Sequence, residues 1–155
     1  MKTTSIIAVL VFTVTFAGSA YAGGRASGPS EPPKNLSCAE CGMESSGAKL
    51  KFASQIDYRD GKVEWFCDAG DLLVHYEVNR AKDKIASIYV RDFETGNWTD
   101  AKTAWYFVGS KVATPMRYGI LTYATKKNAD KARDAEKTGY VLPFSEVISA
   151  KPYRR

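Results

Sequence analysis

An alternation of apolar and polar side chains in the first half of the chain predicts a β-hairpin. Apolar residues alternate with mainly polar ones over residues 49–58, turn-forming residues occupy 59–62, and a short apolar run follows at 63–66. Asp68 is then placed to cap a helix, whose apolar face begins with Leu72. A third strand is predicted at residues 85–90.

The second half repeats this coarse order. An aromatic strand is predicted at residues 104–108, and a charged helix over 126–137 should end at Gly139, a residue that commonly terminates helices. Another strand is expected at residues 140–142. Strand, helix and strand therefore recur, and the sequence predicts an α+β fold with an antiparallel sheet.

The N-terminus has the three parts of a secretory signal peptide. Lys2 supplies a positive charge, residues 6–16 are almost wholly apolar, and Ala20-Tyr21-Ala22 has the small residues of a signal-peptidase site. The apolar run is shorter than the roughly 20 residues that a membrane-spanning helix needs. We therefore expect residues 1–22 to be removed on export to the periplasm, with an uncleaved membrane anchor as the alternative.

Composition divides the remaining chain into a leader and one domain. Residues 23–35 are rich in Gly, Ser and Pro, which predicts a flexible leader. Residues 36–150 contain the predicted strands and helices. This length suffices for one domain with its own core, but it is too short for two domains of ordinary size.

Charge and motif content exclude several classes of function. The formal net charge is +5 at pH 7, but basic and acidic residues are interleaved over residues 126–134, as on a solvated helix face. Such mixing argues against a nucleic-acid partner. No Ser/His/Asp arrangement and no phosphate-binding glycine loop can be placed on the predicted elements. The sequence therefore predicts a binding protein without catalytic residues, and not an enzyme.

The segment from Cys38 to Met43 concentrates the metal-binding chemistry. It holds two of the three cysteines and one of the three methionines, with Gly42 allowing a tight turn between Cys41 and Met43. Thiolate and thioether sulfurs are soft donors that favour Cu(I). Because an exported chain with three cysteines cannot pair them all, at least one thiol should stay free or bind a metal.

Several short blocks occur in the order typical of the NosL family of periplasmic copper chaperones. They are Cys41-Gly42-Met43, the segments 65–73, 88–93, 98–101 and 106–110, Met116, and the closing segment 139–144. Across residues 38–147 the chain therefore resembles that family. The resemblance implies two ββα-type units, as in organomercurial lyase. It also implies a chaperone that delivers Cu(I) to nitrous-oxide reductase during assembly of its copper centres.

Residue by residue, the resemblance implies that Cys41 is a thiolate ligand and that Met116 is a thioether ligand from the second half. Met43 is either a third sulfur donor or core filler. With two or three sulfur ligands, Cu(I) stays under-coordinated and can pass to a copper-receiving apoprotein. That partner would be nitrous-oxide reductase or one of its assembly proteins. A second copy of the chain could also complete the site as a metal-linked homodimer.

Two extra cysteines, Cys38 and Cys67, leave other interpretations open. Together with Cys41 they resemble a heavy-metal module of the TRASH or YHS type, in which Asp71 stands at the place of the missing fourth cysteine. His75 could then complete a zinc site of three cysteines and one histidine, or be a packing residue on the predicted helix. A thiol-disulfide oxidoreductase that uses Cys38-x-x-Cys41 is a further alternative.

Overall fold

The computed structural model describes residues 28–82 and 84–154, which form two units. The first unit comprises β1 (Asn35–Ser37), β2 (Glu44–Ser46), a 3₁₀ turn (Gly47–Phe52), β3 (Ser54–Tyr58), β4 (Val63–Phe66), α1 (Ala69–Asn79), a 3₁₀ turn (Arg80–Lys82), β5 (Ile85–Arg91) and β6 (Trp98–Asp100). The second comprises β7 (Trp105–Val108), β8 (Ile120–Tyr123), α2 (Lys126–Glu136), β9 (Tyr140–Pro143) and α3 (Phe144–Ala150).

The two units share one topology. The larger sheet of the first unit has the order β4-β3-β5-β6, and the sheet of the second has the order β8-β7-β9. In each unit a hairpin is followed by a helix, and the next strand pairs antiparallel with the first strand of the hairpin. This confirms the prediction of an α+β fold with two ββα-type units and antiparallel sheets.

The first predicted strand begins too early. Residues 47–52 form a 3₁₀ turn instead, and β3 starts only at Ser54. The residues from Ser54 to Asp57 are all buried, because β3 pairs with a strand on both of its edges and is covered on both faces. Leu50 and Phe52 in the turn continue the period-2 pattern of Ile56 and Tyr58 in β3, so the alternation extended the predicted strand too far toward the N-terminus.

Local signals explain both long helices. The Asp68 carboxylate accepts a hydrogen bond from the Gly70 N–H at 2.7 Å, which caps α1 as predicted. Thr125 caps α2 in the same way. However, α2 ends with Lys137 in the left-handed conformation, and not at Gly139. Gly139 is needed for another reason: an added Cβ there would lie 2.0 Å from the carbonyl oxygen of Val108, so only glycine lets β9 approach β7.

One hydrophobic core joins the two units. It includes Phe66 and Leu72 from the first unit and Tyr106 and Val147 from the second, all fully buried. Val147 belongs to α3, which the sequence did not predict, as it also did not predict β1, β2, β6 and β8. The shared core fixes the second unit against α1, which is where the candidate site lies.

The N-terminal predictions are covered only in part. The predicted signal peptide, residues 1–22, lies outside the described residues, as do the first residues of the leader. Further along, the Ser30 N–H donates a hydrogen bond to Gln55 Oε1 at 3.1 Å, and Arg91 pairs with Glu31 at 2.6 Å. Among the residues that the structure describes, no helix combines the length and the apolar character needed to span a bilayer.

Candidate metal centre

The segment Cys38–Met43 forms a tight turn that connects β1 to β2. The Gly42 N–H donates to the Cys38 carbonyl at 3.0 Å, and the Cys38 N–H donates to the Met43 carbonyl at 3.0 Å. Gly42 has a φ of 71°, a conformation that glycine adopts without strain. The Ala39 N–H donates to the Trp65 carbonyl at 2.8 Å, which holds the turn against β4. The turn therefore presents Cys38 and Cys41 toward the end of β4.

Cys67 and Asp71 meet this turn from the other side. Cys67 directly follows β4, and Asp71 lies in the first turn of α1. The Sγ atoms of Cys41 and Cys67 are 3.7 Å apart. Asp71 Oδ2 lies 3.2 Å from Cys38 Sγ and 3.5 Å from Cys67 Sγ. The three sulfurs and one carboxylate oxygen all lie within 4.8 Å of one another, which is close enough to hold one metal ion.

The cluster is closed on one side and open on the other. Cys38 and Cys67 are each 2% exposed and Asp71 is 1% exposed, so these three side chains are shielded from solvent. Cys41 is only partly buried, and the neighbouring Met43 is 46% exposed. All three cysteines are free thiols. An exchanging ligand can therefore reach the cluster at the Cys41 edge.

The three thiols differ in their readiness to ionise. A hydrogen bond from the Cys67 thiol, together with backbone N–H groups of the turn, lowers the pKa of Cys38 to about 6 against the effect of burial. Desolvation raises the pKa of Cys41 to about 11. The pKa of Cys67 is raised, mainly through its hydrogen bond to Cys38.

A loop of the second unit supports the cluster through two carboxylates. The Met116 N–H donates to Asp68 Oδ2 at 3.2 Å, next to Cys67, and the Tyr118 hydroxyl donates to Asp71 Oδ1 at 3.2 Å. Tyr118 can lie so close because residue 70 is glycine: an added Cβ would be 2.1 Å from the Tyr118 ring. Burial raises the pKa of Asp68.

Met116 itself is partly buried against the core that contains Cys38 and Cys67. The structure thus places the backbone of this predicted thioether ligand beside the first-unit cysteines. Its role as a ligand, and that of Met43, stay predictions.

His75 does not join the three cysteines in the described residues, as the alternative zinc site would require. His75 Nδ1 lies 2.9 Å from a Glu40 carboxylate oxygen, and His75 Nε2 lies 3.0 Å from one of Glu64 and 3.1 Å from the Tyr58 hydroxyl. Both ring nitrogens are therefore engaged on the flank of α1, outside the group of cysteines.

Asp71, and not His75, lies with the three cysteines. Within the described ranges, it is the residue that joins the three cysteines in a group able to hold a metal ion. Sequence reasoning noted its position four residues after Cys67 but did not name it as a ligand. That spacing, at the place of a missing fourth cysteine, was the signal that could have identified it.

Comparisons with known proteins agree with this architecture. The crystal structure of the copper chaperone NosL from Shewanella denitrificans superposes with a TM-score of 0.63 at 22% sequence identity, over 77% of this chain and 99% of that chain. At this identity the likeness concerns the fold. No curated protein matches the chain. The family model of NosL matches residues 29–151. Because the match covers most of the chain, this protein belongs to the NosL family.

Proposed function

We propose that this protein is a periplasmic chaperone that binds Cu(I) and delivers it to a cuproenzyme such as nitrous-oxide reductase. The observation that carries the proposal is the convergence of three cysteine sulfurs on one point, with a single partly exposed thiol at the edge. Membership in a family that includes a copper chaperone supports the same conclusion.

The donor atoms suit Cu(I) as cargo. Sulfur is a soft ligand and favours Cu(I) over the harder ions that bind carboxylates and carbonyls. Cys38 and Cys67 would hold the ion from the buried side, and Cys41 from the open side. Met116 would add a thioether from the second unit, because its backbone is tied to Asp68 beside Cys67. Met43, which is largely exposed, would contribute during entry or release.

Transfer would proceed by exchange of ligands at the Cys41 edge. A thiolate, thioether or imidazole of the receiving protein enters there while Cys41 leaves, so the ion never becomes free. Cys38 would keep its place during this exchange, because backbone hydrogen bonds of the turn hold it. A second copy of the chain could enter in the same way and form a metal-linked homodimer.

The N-terminal sequence supports a periplasmic location. Residues 1–22 have the charge, apolar run and cleavage site of a signal peptide. Mass spectrometry of the exported protein should find Gly23 as its first residue. An intact N-terminus in the membrane fraction would overturn this location.

Copper handover tests the proposed function. The reduced, Cu(I)-loaded protein should be mixed with the copper-free form of nitrous-oxide reductase without oxygen, and copper in each protein measured after separation. We expect copper to move to the enzyme faster than from a Cu(I) complex with a small thiol. Equal rates from both sources would contradict a chaperone role. The variant Ser149→Ala, on the exposed face of α3, is a control that should transfer copper like the parent.

A further inference from the structure

The imidazole of His75 links the Cys38–Met43 turn to the side of α1. We propose that His75 is a positioning residue that holds this turn closed through Glu40, so that the contact between them sets how fast copper enters and leaves. The inference rests on the proposed function for its cargo, but the opening of the turn can be measured without any metal.

The contact between Glu40 and His75 joins two elements that are distant in sequence. Glu40 lies in the turn, directly before Cys41, and one of its carboxylate oxygens is 2.9 Å from His75 Nδ1 across 35 residues. A carboxylate accepts hydrogen bonds and cannot donate them, so the Nδ1–H is the donor. The bond therefore fastens the turn to α1 without using any of the three sulfurs.

The strands β3 and β4 hold the imidazole ring in place. His75 Nε2 lies 3.0 Å from a Glu64 carboxylate oxygen and 3.1 Å from the Tyr58 hydroxyl. The Tyr58 hydroxyl donates to that same Glu64 oxygen at 2.5 Å. The ring also packs against Phe66, with 5.0 Å between the ring centroids. His75 is therefore a fixed anchor, and Glu40 is the part of the contact that can move with the turn.

Exposure makes the Glu40 end of the contact the weaker one. The side chain of Glu40 is 32% exposed, whereas those of His75 and Glu64 are 16% and 15% exposed. Water and dissolved salt weaken the interactions of an exposed carboxylate more than those of a shielded one. Glu40 also adjoins Cys41, the partly exposed thiol of the cluster. Release of Glu40 therefore loosens the turn at the edge where copper would exchange.

This arrangement predicts a change in rate without a change in affinity. Because the contact uses no sulfur, it is present in the metal-free protein and can persist when copper is bound. A bond that stabilises both of these closed states equally leaves the Cu(I) dissociation constant unchanged, but it opposes opening from each of them. Loss of one such hydrogen bond should accelerate opening, and with it both the uptake and the release of Cu(I), about fivefold.

Glu40→Ala tests the contact at its exposed end, in the reduced protein. Without metal, alkylation of Cys38 requires the turn to open, because this thiol is 2% exposed, and it should accelerate about fivefold. Hydrogen exchange of the Gly42 N–H, which bonds within the turn, should accelerate likewise, while the amides of β7 exchange as in the parent. Stopped-flow exchange with a colourless Cu(I) chelator should accelerate about fivefold in both directions, with the affinity changed by less than about twofold.

Three comparisons keep the test informative. Glu40→Gln retains an oxygen that accepts the Nδ1–H, so its rates should stay within about twofold of the parent. Glu94→Ala removes an exposed acid that pairs with Lys131 at 3.5 Å, away from the turn, and should leave every rate unchanged. His75→Ala should accelerate opening, and adding Glu40→Ala to it should accelerate nothing further, because both substitutions remove the same contact.

Four outcomes would overturn the inference. The first is a Glu40→Ala variant that opens and exchanges copper at the parental rates, and the second is a Glu40→Gln variant that behaves like Glu40→Ala. The third is faster release with unchanged uptake, which lowers the affinity and is expected of a lost ligand. The fourth is faster hydrogen exchange in β7 as well as at Gly42, which would mark a general loss of stability. A parent that binds no Cu(I), while Glu40→Ala still accelerates alkylation, would refute the proposed function alone.

Discussion

Replacing Asp68 with alanine should destabilise the protein by more than the loss of a helix cap. The Asp68 carboxylate accepts the Gly70 N–H at 2.7 Å and the Met116 N–H at 3.2 Å, and it is 1% exposed. The first bond caps α1, and the second ties the loop of the second unit to the first. Alanine removes both hydrogen bonds at once, including the one from the partly buried Met116 N–H.

The two losses can be assigned separate magnitudes. Loss of an N-cap costs about 1 kcal/mol, and loss of the hydrogen bond from the Met116 N–H to a carboxylate costs about 1 to 3 kcal/mol. Burial raises the pKa of Asp68, so the ionised carboxylate carries a desolvation cost that alanine removes. The expected loss in the free energy of unfolding is therefore near the lower end of the combined range, about 2 kcal/mol.

Thr125→Ala is the matched control, because Thr125 caps α2, a helix of 11 residues like α1, and its cap bond to the Asn128 N–H lies outside the site. It should cost about 1 kcal/mol. Urea unfolding of both metal-free, reduced variants measures the difference. If Asp68→Ala and Thr125→Ala agree within about 0.5 kcal/mol, the bond between the two units contributes nothing and the reasoning fails.

Three further predictions concern the cluster and its support. Met116→Leu should keep the fold and weaken Cu(I) binding at least about tenfold, as measured by competition with a Cu(I) chelator; unchanged affinity would remove Met116 from the ligand set. Gly70→Ala should displace the Tyr118 ring, and tyrosine fluorescence and urea unfolding should both change relative to the parent. In the metal-free protein, alkylation of Cys41 should accelerate about tenfold per pH unit toward pH 11, because its raised pKa of about 11 keeps the reactive thiolate scarce below that pH. A plateau near pH 8 would contradict that pKa.

The parts of the fold that depend on neighbours in sequence could be predicted. The cap at Asp68, the hairpin turn before Val63 and the charged pattern of α2 are local signals, and the elements that they indicate are present. The cysteines near β1 also indicated the candidate cluster, because soft donors within six residues are typical of a metal site. The family resemblance added the prediction that Met116, from the second unit, contributes to the same site.

The rest depended on contacts between distant residues. Met116 approaches Asp68 across 48 residues, and Tyr118 approaches Asp71 across 47, so neither hydrogen bond leaves a local pattern. Asp71 was explained equally well as an acidic residue in a first helical turn, where the helix dipole favours it. Its position beside the three cysteines depends on the packing of the Cys38–Met43 turn near the start of α1, which no local pattern shows. The burial of both faces of β3 likewise depends on packing and not on its own residues.

Cu(I) titration of the reduced protein against a colourless chelator of known affinity, without oxygen, tests the central claim most directly. The account predicts one tightly bound Cu(I) per chain. Cys41→Ser, which replaces a soft thiolate by a hard hydroxyl at the open edge, should lower the affinity by at least about tenfold, with Ser149→Ala unchanged. A parent that fails to compete for Cu(I), or a Cys41→Ser variant that competes as well as the parent, would contradict the account.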